Sequence, residues 1–270
     1  MRWLGVAGFE FNSDGHTLLV DPFLTKPALK YIFGGRVKPN QEILPKVIQS
    51  AEDILVTHAH YDHLMDVPDI AGRTGATVYG SPNVCQVLSA FQLPEKQIKT
   101  LQANESIRLA NANFVTIPAR HPAIPGYLSG KVKKSLTPPL RLRDYRMDTC
   151  LSFLVELQGI KMLIWSSTSS DDARPADVLF VRAVASKRWY EKILSVVQPR
   201  LVIPTHWDNL FQPLSEPIQP FWSPPRLGWP PLKKINLNDF EKTIHQVKPD
   251  CKVLLPQPFK CYQLIDEMNS

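Results

Sequence analysis

Residues 56–63 read V-T-H-A-H-Y-D-H, so three of the chain's seven histidines and one aspartate fall within six positions. The run D-I-L-V-T (residues 53–57) is predicted to be a buried strand, which places the cluster just past a strand end. Side chains two positions apart in an extended segment point to the same side, so His58 and His60 can meet one cation. Asp62 and His63 follow on the next turn, where they can serve a second cation or hydrogen-bond the first ligands. Imidazole with added carboxylate is typical of zinc sites, so this stretch predicts a metal centre.

Other histidines also follow predicted strands. His121 comes after the strand 113–118, and His206 comes after the strand 200–204. Two apolar runs, 3–11 and 17–21, flank the turn N-S-D-G and predict an opening hairpin that ends at Asp21. Strands and helices alternate through the rest of the chain, which favours an α/β fold. Further strands are predicted at 77–79, 151–157, 160–165, 177–181 and 251–255, with helices from Ser81 to Phe91, at 187–197 and at 237–246.

No internal repeat or change of composition divides the chain, so we expect a single domain over residues 1–270 with two inserts. The first insert, at about 122–148, is basic: it is predicted to form either a positive rim for an anionic substrate or a solvated loop. The second, at about 207–233, alternates aromatic residues with prolines; it can wall a pocket, cover core, or bind a partner domain. The basic side chains of the first insert are Lys131, Lys133, Lys134, Arg141, Arg143 and Arg146.

Composition limits the class of protein. The chain has 270 residues, 44% of them hydrophobic and 21% charged, as in an ordinary globular protein. A net charge of +6 fits an anionic small molecule as well as nucleic acid. No run approaches the roughly 20 apolar residues of a membrane span, and the N-terminus lacks the apolar core of a signal peptide. Four cysteines without a C-x-x-C pair predict free thiols in a reducing, cytoplasmic setting, with a Cys251–Cys261 bridge as the alternative.

These motifs resemble the metallo-β-lactamase superfamily, whose signature H-x-H-x-D-H is matched by residues 58–63. The opening hairpin, R-H-P around His121 and P-T-H-W-D around His206 are similar to the family's later motifs. The resemblance extends from residue 3 to about residue 255. It implies the four-layer αβ/βα sandwich of that family, an α/β (α+β) architecture.

The resemblance also implies roles for individual residues. A first metal would be held by His58, His60 and His121. A second would be held by Asp62, His63 and His206, with Asp62 also acting in catalysis. Asp21 matches an early aspartate that holds the histidine loop by hydrogen bonds, although it can also simply cap the turn before Pro22.

One position departs from the family pattern, which places a metal-bridging aspartate after a strand. Here the strand 160–165 runs into W-S-S-T-S-S-D-D (residues 165–172), so Ser167 or Thr168 stands at the aligned place. Asp171 and Asp172 come several residues later; they are expected to be solvated acids, with contact to the metals as the alternative. A hydroxyl is a poor bridge between two dications, so we expect the second metal position to be weak or empty. Asp208 is predicted either to orient a histidine or to be exposed.

The resemblance implies a metal-dependent hydrolase acting on an ester, lactone, amide or phosphodiester of a small molecule, possibly an anionic one. A zinc ion held by three imidazoles lowers the pKa of bound water to about 7 and supplies hydroxide at neutral pH. One or two Zn²⁺ ions are expected, with Mn²⁺ or Fe²⁺ as alternatives. Three other functions stay open: a nucleic-acid processing nuclease, a non-catalytic metal-binding sensor with a decayed second site, and an iron oxidoreductase.

Overall fold

The computed structural model describes residues 1–121, 128–133, 135–222 and 233–269, which form two mixed sheets with helices on their outer sides. One sheet has six strands in the order β1-β2-β3-β4-β5-β6, and the other has seven in the order β13-β12-β11-β10-β9-β8-β7. The strands are β1 Arg2–Trp3, β2 Phe9–Ser13, β3 His16–Val20, β4 Asp53–Leu55, β5 Thr77–Gly80, β6 Ile98–Thr100, β7 Ser106–Arg108, β8 Ala112–Ala119, β9 Cys150–Leu157, β10 Ile160–Trp165, β11 Val178–Arg182, β12 Leu201–Thr205 and β13 Lys252–Val253. The α-helices are α1 Leu44–Val47, α2 Tyr61–Leu64, α3 Val67–Thr74, α4 Pro82–Ala90, α5 Lys187–Val197, α6 Leu237–Val247 and α7 Leu264–Asn269.

The first sheet starts with the predicted hairpin. Strands β2 and β3 pair antiparallel, and the connecting Asp14 and Gly15 both have positive φ (50° and 78°), as a tight hairpin turn requires. The predicted run 3–11 is broken, however, because Gly5 and Val6 also have positive φ and turn the chain between β1 and β2. Strands β3 to β6 then run parallel, connected by segments that carry helices α1 to α4.

The second sheet begins antiparallel and ends parallel. Strands β7 to β10 form a meander whose β9–β10 turn has positive φ at Gln158 and Gly159 (50° and 76°). Strands β10 to β13 are parallel, and α5 and α6 lie in the connections between them. The last predicted strand, 251–255, is confirmed but shortened to two residues.

The core has two parts, separated by the first sheet. Leu18, Val20 and Leu55 pack with residues of the second sheet, whereas Leu19 and Ile54 pack with helices α3 and α4. This alternation is the period of two expected for strands buried on both faces. Helices α5 and α6 add Tyr190 and Phe240, among others, to the first cluster. The predicted α/β sandwich with outer helices is confirmed.

Two further findings concern the thiols and the helix lengths. All four cysteines are free, so Cys251 and Cys261 are not bonded; Cys261 is exposed and the other three are buried. Within the described ranges no helix combines the length and the apolar character that crossing a membrane demands. Sequence reasoning did not identify β1, β6, β7 or the short helices α1 to α3 and α7, because such short pieces carry little periodicity.

Candidate metal centre

The first group of candidate ligands joins two strand ends. His58 and His60 lie on the loop after β4, His60 directly precedes α2, and His121 lies just past β8. One ligand nitrogen from each of the three imidazoles lies within 4.8 Å of the other two. The structure therefore brings together the three histidines that were predicted for the first metal site.

Hydrogen bonds assign the tautomers of His58 and His60. His60 Nε2 lies 3.2 Å from the carbonyl oxygen of Leu128, which can only accept, so this nitrogen carries the proton. His58 Nδ1 lies 3.0 Å from Thr57 Oγ1, which donates its own hydrogen to Asp21 Oδ2 at 2.6 Å and therefore accepts from His58. The remaining nitrogens, His58 Nε2 and His60 Nδ1, present lone pairs to each other across 3.0 Å. Facing lone pairs repel unless a cation lies beside them.

The second group contains Asp62, His63 and His206. One ligand atom from each lies within 4.8 Å of the other two. His63 Nδ1 donates to Asp21 Oδ2 at 2.8 Å, which leaves Nε2 directed at the site. His63 Nε2 lies 3.2 Å from His206 Nε2 and 3.4 Å from Asp62 Oδ2. This group also matches the predicted one, and it contains a carboxylate that the first group lacks.

Asp21 links the two groups of ligands by hydrogen bonds. Its side chain is fully buried, and it accepts hydrogen bonds from the backbone N–H of Thr57 (2.8 Å), from the Thr57 hydroxyl and from His63 Nδ1. The Thr57 hydroxyl in turn orients His58. These contacts agree with the interpretation that Asp21 holds the histidine loop rather than only capping the turn before Pro22.

Burial sets the charge state of most of the imidazoles. Desolvation lowers the pKa of His58 well below its ordinary value, that of His60 to about 4 and that of His206 to about 3. These three side chains are therefore neutral near pH 7, which is the form that binds metal.

His63 and Asp62 are charged. Burial acts to lower the pKa of His63, but the carboxylates of Asp21 and Asp62 outweigh it and raise that pKa to about 10. Burial acts to raise the pKa of Asp62, but His63, His60 and His206 together bring it well below its usual range. Without a metal, His63 therefore keeps a proton near Asp62 and His206. A cation can replace that proton, and the nitrogen-rich donor set with one carboxylate fits a borderline metal such as zinc.

The turn at residues 165–172 supplies hydroxyls rather than carboxylates. Ser167 is buried beside the site, and its Oγ accepts from the backbone N–H of Arg120 (3.0 Å) and of Ser169 (3.1 Å). Thr168 Oγ1 donates to the carbonyl of Arg120 at 2.9 Å. Both residues thus fasten the backbone that immediately precedes His121. Asp171 and Asp172 are exposed and do not line the cavity over the site, as expected of solvated acids.

The prediction that Asp208 is exposed is wrong, and Asp208 does not orient a histidine by a direct hydrogen bond. Its side chain is buried, and it makes no hydrogen bond to any histidine of the described chain. Instead, Asp208 Oδ1 accepts from the backbone N–H of Val6 at 2.9 Å, and Oδ2 lies 2.6 Å from Lys26 Nζ. Lys26 was not singled out from the sequence, because nothing local distinguishes it from a surface lysine.

A cavity of about 840 Å³ opens over both groups of ligands, large enough for a small molecule. The described part of the second insert, 207–222, forms much of its wall, which confirms the pocket-wall interpretation; residues 223–232 lie outside the described chain. Apart from the candidate ligands, the lining residues are Leu29, Tyr61, Leu128, Trp165, Ser166, Ser167, Arg182, Val184, Asp208, Asn209, Leu210, Phe211, Phe221, Trp222 and Ile235.

The described cations of the basic insert do not reach this cavity. None of its described lysines and arginines lines the cavity, and Lys134 lies outside the described residues. The predicted positive rim is wrong for that described part, because Leu128 is the insert residue of that part that lines the cavity, and its side chain is uncharged. Among the described residues, the lysine or arginine that lines the cavity is Arg182, which sequence reasoning missed. The available signal was the run V-L-F-V-R (residues 178–182), in which a charged residue ends a buried parallel strand.

Comparison with known proteins agrees with this geometry. A family model described as the beta-lactamase superfamily domain matches residues 16–207. A UPF0173 metal-dependent hydrolase from Pyrobaculum arsenaticum is 29% identical over 216 residues, covering 77% of this chain and 84% of the relative. Igni18, a metallo hydrolase from Ignicoccus hospitalis, has a similar structure with a TM-score of 0.61 at 16% identity, covering 95% of this chain and 94% of Igni18.

A second solved structure shares the fold over part of its length. CmlA, a diiron β-hydroxylase from Streptomyces venezuelae, matches with a TM-score of 0.52 at 15% identity, covering 76% of this chain and 44% of CmlA. The family model spans the strands from β3 to β12, whose ends carry the candidate ligands. This chain therefore belongs to the metallo-β-lactamase superfamily.

Proposed function

We propose that this metallo-β-lactamase-fold hydrolase cleaves an ester, lactone, amide or phosphodiester bond of a small molecule. The observation that carries the proposal is the pair of facing lone pairs on His58 and His60, 3.0 Å apart at the base of a cavity. The metal-dependent hydrolase of Pyrobaculum arsenaticum supports the same reaction class.

The residues that would hold a first metal are His58, His60 and His121, and those for a second are Asp62, His63 and His206. When bound, such an ion supplies Lewis acidity and lowers the pKa of a coordinated water to about 7. Zinc is proposed because imidazole nitrogens dominate the donor set. Iron is the alternative that the likeness to the diiron protein CmlA favours.

Asp62 is proposed to act on the attacking water. Its carboxylate is ionised near neutral pH and faces the space shared by the two groups of ligands. An ionised carboxylate there can accept a hydrogen bond from the water, orient it, and take up a proton as the bond to the substrate forms. Burial acts against this charged form, but His63 above all, together with His60 and His206, keeps the pKa of Asp62 low.

The cavity walls favour a small substrate over nucleic acid. Aromatic and aliphatic side chains such as Phe211 and Phe221 dominate the lining, and they exclude water from the reacting groups. A nuclease would need a cationic track for phosphates, and the described cations of the basic insert lie away from the cavity. The protein is accordingly proposed to act on a small molecule.

Elemental analysis combined with an activity panel tests the proposal. Protein purified without chelator is assayed with 4-nitrophenyl butyrate, γ-butyrolactone and bis(4-nitrophenyl) phosphate. We expect bound metal and hydrolysis of at least one compound, with both lost in His58→Ala/His60→Ala. His245→Ala, which changes an exposed histidine on α6, is the matched control and should behave like the unmodified protein. Bound metal without any hydrolysis would favour the non-catalytic sensor and overturn the proposal.

A further inference from the structure

Arg182 occupies the end of β11, next to the strand that leads to His206. It pairs in register with Thr205 of β12, and the backbone N–H of Ala183 donates to the carbonyl of Thr205 at 3.0 Å. The side chain lines the same cavity as both groups of candidate ligands. Its charge is close enough to contribute to the lowered pKa of His206.

In the part of the chain that the structure describes, this guanidinium has no anionic partner. Within the described chain, no carboxylate lies within 4.0 Å of it, and its buried Nε has no hydrogen-bond partner. A buried donor of a charged group without an acceptor is unfavourable, and folded proteins rarely keep one. Arg182 therefore lines the cavity with a guanidinium whose donors are not all used by the described protein groups.

The guanidinium is nevertheless held in place. Its central carbon lies 5.4 Å from the centre of the Trp189 ring, in cation–π contact. The indole N–H of Trp189 donates to the carbonyl of Thr168 at 2.6 Å, which fixes that ring against the turn after β10. Because the side chain is already ordered, Arg182 would lose less conformational entropy when a ligand binds.

The other charged groups of the cavity already have partners. Asp208 pairs with Lys26, while Asp62 and the histidines form the candidate metal centre. A bound divalent metal would add positive charge to the same space, so the cavity would hold two cationic features and little negative charge from the protein. A planar guanidinium with free donors is suited to bidentate binding of a carboxylate or a phosphate.

We infer that Arg182 binds an oxyanion group of the substrate, a carboxylate or a phosphate, and thereby places the neighbouring scissile bond at the metal centre. The apolar wall formed by Val184, Phe221 and Ile235 would contact the uncharged part of the same molecule. The step from binding to cleavage rests on the proposed function, whereas the recognition of the anion does not.

Calorimetric binding to the metal-loaded protein tests this inference. Three probes share one apolar body: 4-phenylbutyrate, 4-phenylbutyl phosphate and the neutral 4-phenylbutanamide. We expect Arg182→Gln to weaken at least one anion about tenfold or more relative to the amide, the effect of losing a charge-assisted pair. Arg182→Lys keeps the charge but loses the planar guanidinium, so its anion affinity should lie between those of Arg182→Gln and the unmodified protein. Arg188→Gln, at an exposed position on α5, is the matched control.

The two anionic probes identify which oxyanion the site prefers. Equal binding of the anions by Arg182→Gln and by the unmodified protein would overturn the inference, and so would equal weakening of anions and amide. Thermal unfolding of each variant excludes loss of fold as the cause. Anion binding that depends on Arg182 without hydrolysis of any ester would contradict the proposed function alone; hydrolysis without such binding would contradict only this inference.

Discussion

Lys26 Nζ lies 2.6 Å from Asp208 Oδ2, and neither side chain is more than 1% exposed. The pair joins the loop after β3 to the segment after β12, across 182 positions of sequence. Asp208 also accepts from the backbone N–H of Val6, while the carbonyl of Val6 accepts from the N–H of His206 at 3.1 Å. The buried pair therefore holds the backbone that carries His206 against the opening turn of the chain.

Lys26→Met is expected to destabilise the protein by about 3–5 kcal/mol, because it leaves Asp208 as an unpaired buried charge. Urea unfolding measures the change. Lys26→Met/Asp208→Asn should recover part of the loss, since the double variant has no uncompensated charge. Lys248→Met removes a lysine whose partner Asp250 lies on the surface, and it should change the unfolding midpoint little. A loss in Lys26→Met no larger than in Lys248→Met would contradict this role.

Asp62→Asn should lower turnover by about 10²- to 10⁴-fold, the usual contribution of a positioned acid or base. Asparagine keeps the shape of the side chain but cannot take up a proton. Metal at His58, His60 and His121 should remain, because Asp62 is not part of that group. Steady-state kinetics and elemental analysis of the same sample separate the two effects. Loss of all metal would show that Asp62 has a structural role instead.

Metal binding to the apo-protein at pH 8 should release about one proton for the second group of ligands. The folded pKa of His63, about 10, lies above its unfolded value, so its ring is protonated at pH 8 until a cation replaces that proton. A pH indicator in weakly buffered solution measures the release. Asp21→Asn should reduce it, because the largest effect that raises this pKa is lost. Metal binding without proton release in the unmodified protein would show that the His63 ring is not protonated in the metal-free protein at pH 8.

The same shift gives a stability prediction for the metal-free protein. Because the pKa of His63 is raised on folding, its contribution to stability is fully present below the unfolded value of about 6.5 and is lost as pH rises through 10. Thermal unfolding between pH 7 and pH 10 should show a lower midpoint at the alkaline end. Asp21→Asn, which removes the main partner, should flatten that dependence, and an unchanged slope would count against His63 as its source.

The two metal positions should bind unequally, with the second the weaker. Two nearby dications repel, and at the turn 165–168 only hydroxyls are available to bridge them. Calorimetric titration of apo-protein measures both affinities. Ser167→Asp should strengthen the second site, whereas Ser170→Asp, two residues beyond that turn and outside the cavity lining, should not. Two equivalent tight sites in the unmodified protein would refute the prediction.

Local pattern was sufficient for much of this fold. The strand before His58, the helix capped by Ser81 and the hairpin around Gly159 were all predictable, because each depends on neighbours within a few residues. The side-by-side position of His58 and His60 follows from the period of an extended chain. His121 and His206 were predictable as strand-end residues, and the resemblance to a known family then assigned them to their groups.

Contacts between distant segments were decided only when the sheets assembled. Lys26 and Asp208 are separated by 182 positions, and no local pattern links them. Arg182 faces the cavity because β11 ends beside β12, whereas the described cations of the basic insert do not line it, although the insert begins right after His121. The physical reason is that charge and hydrophobicity along the chain determine which residues are buried. Which buried or cavity-lining residues meet depends on the order and register of strands that come together only in three dimensions.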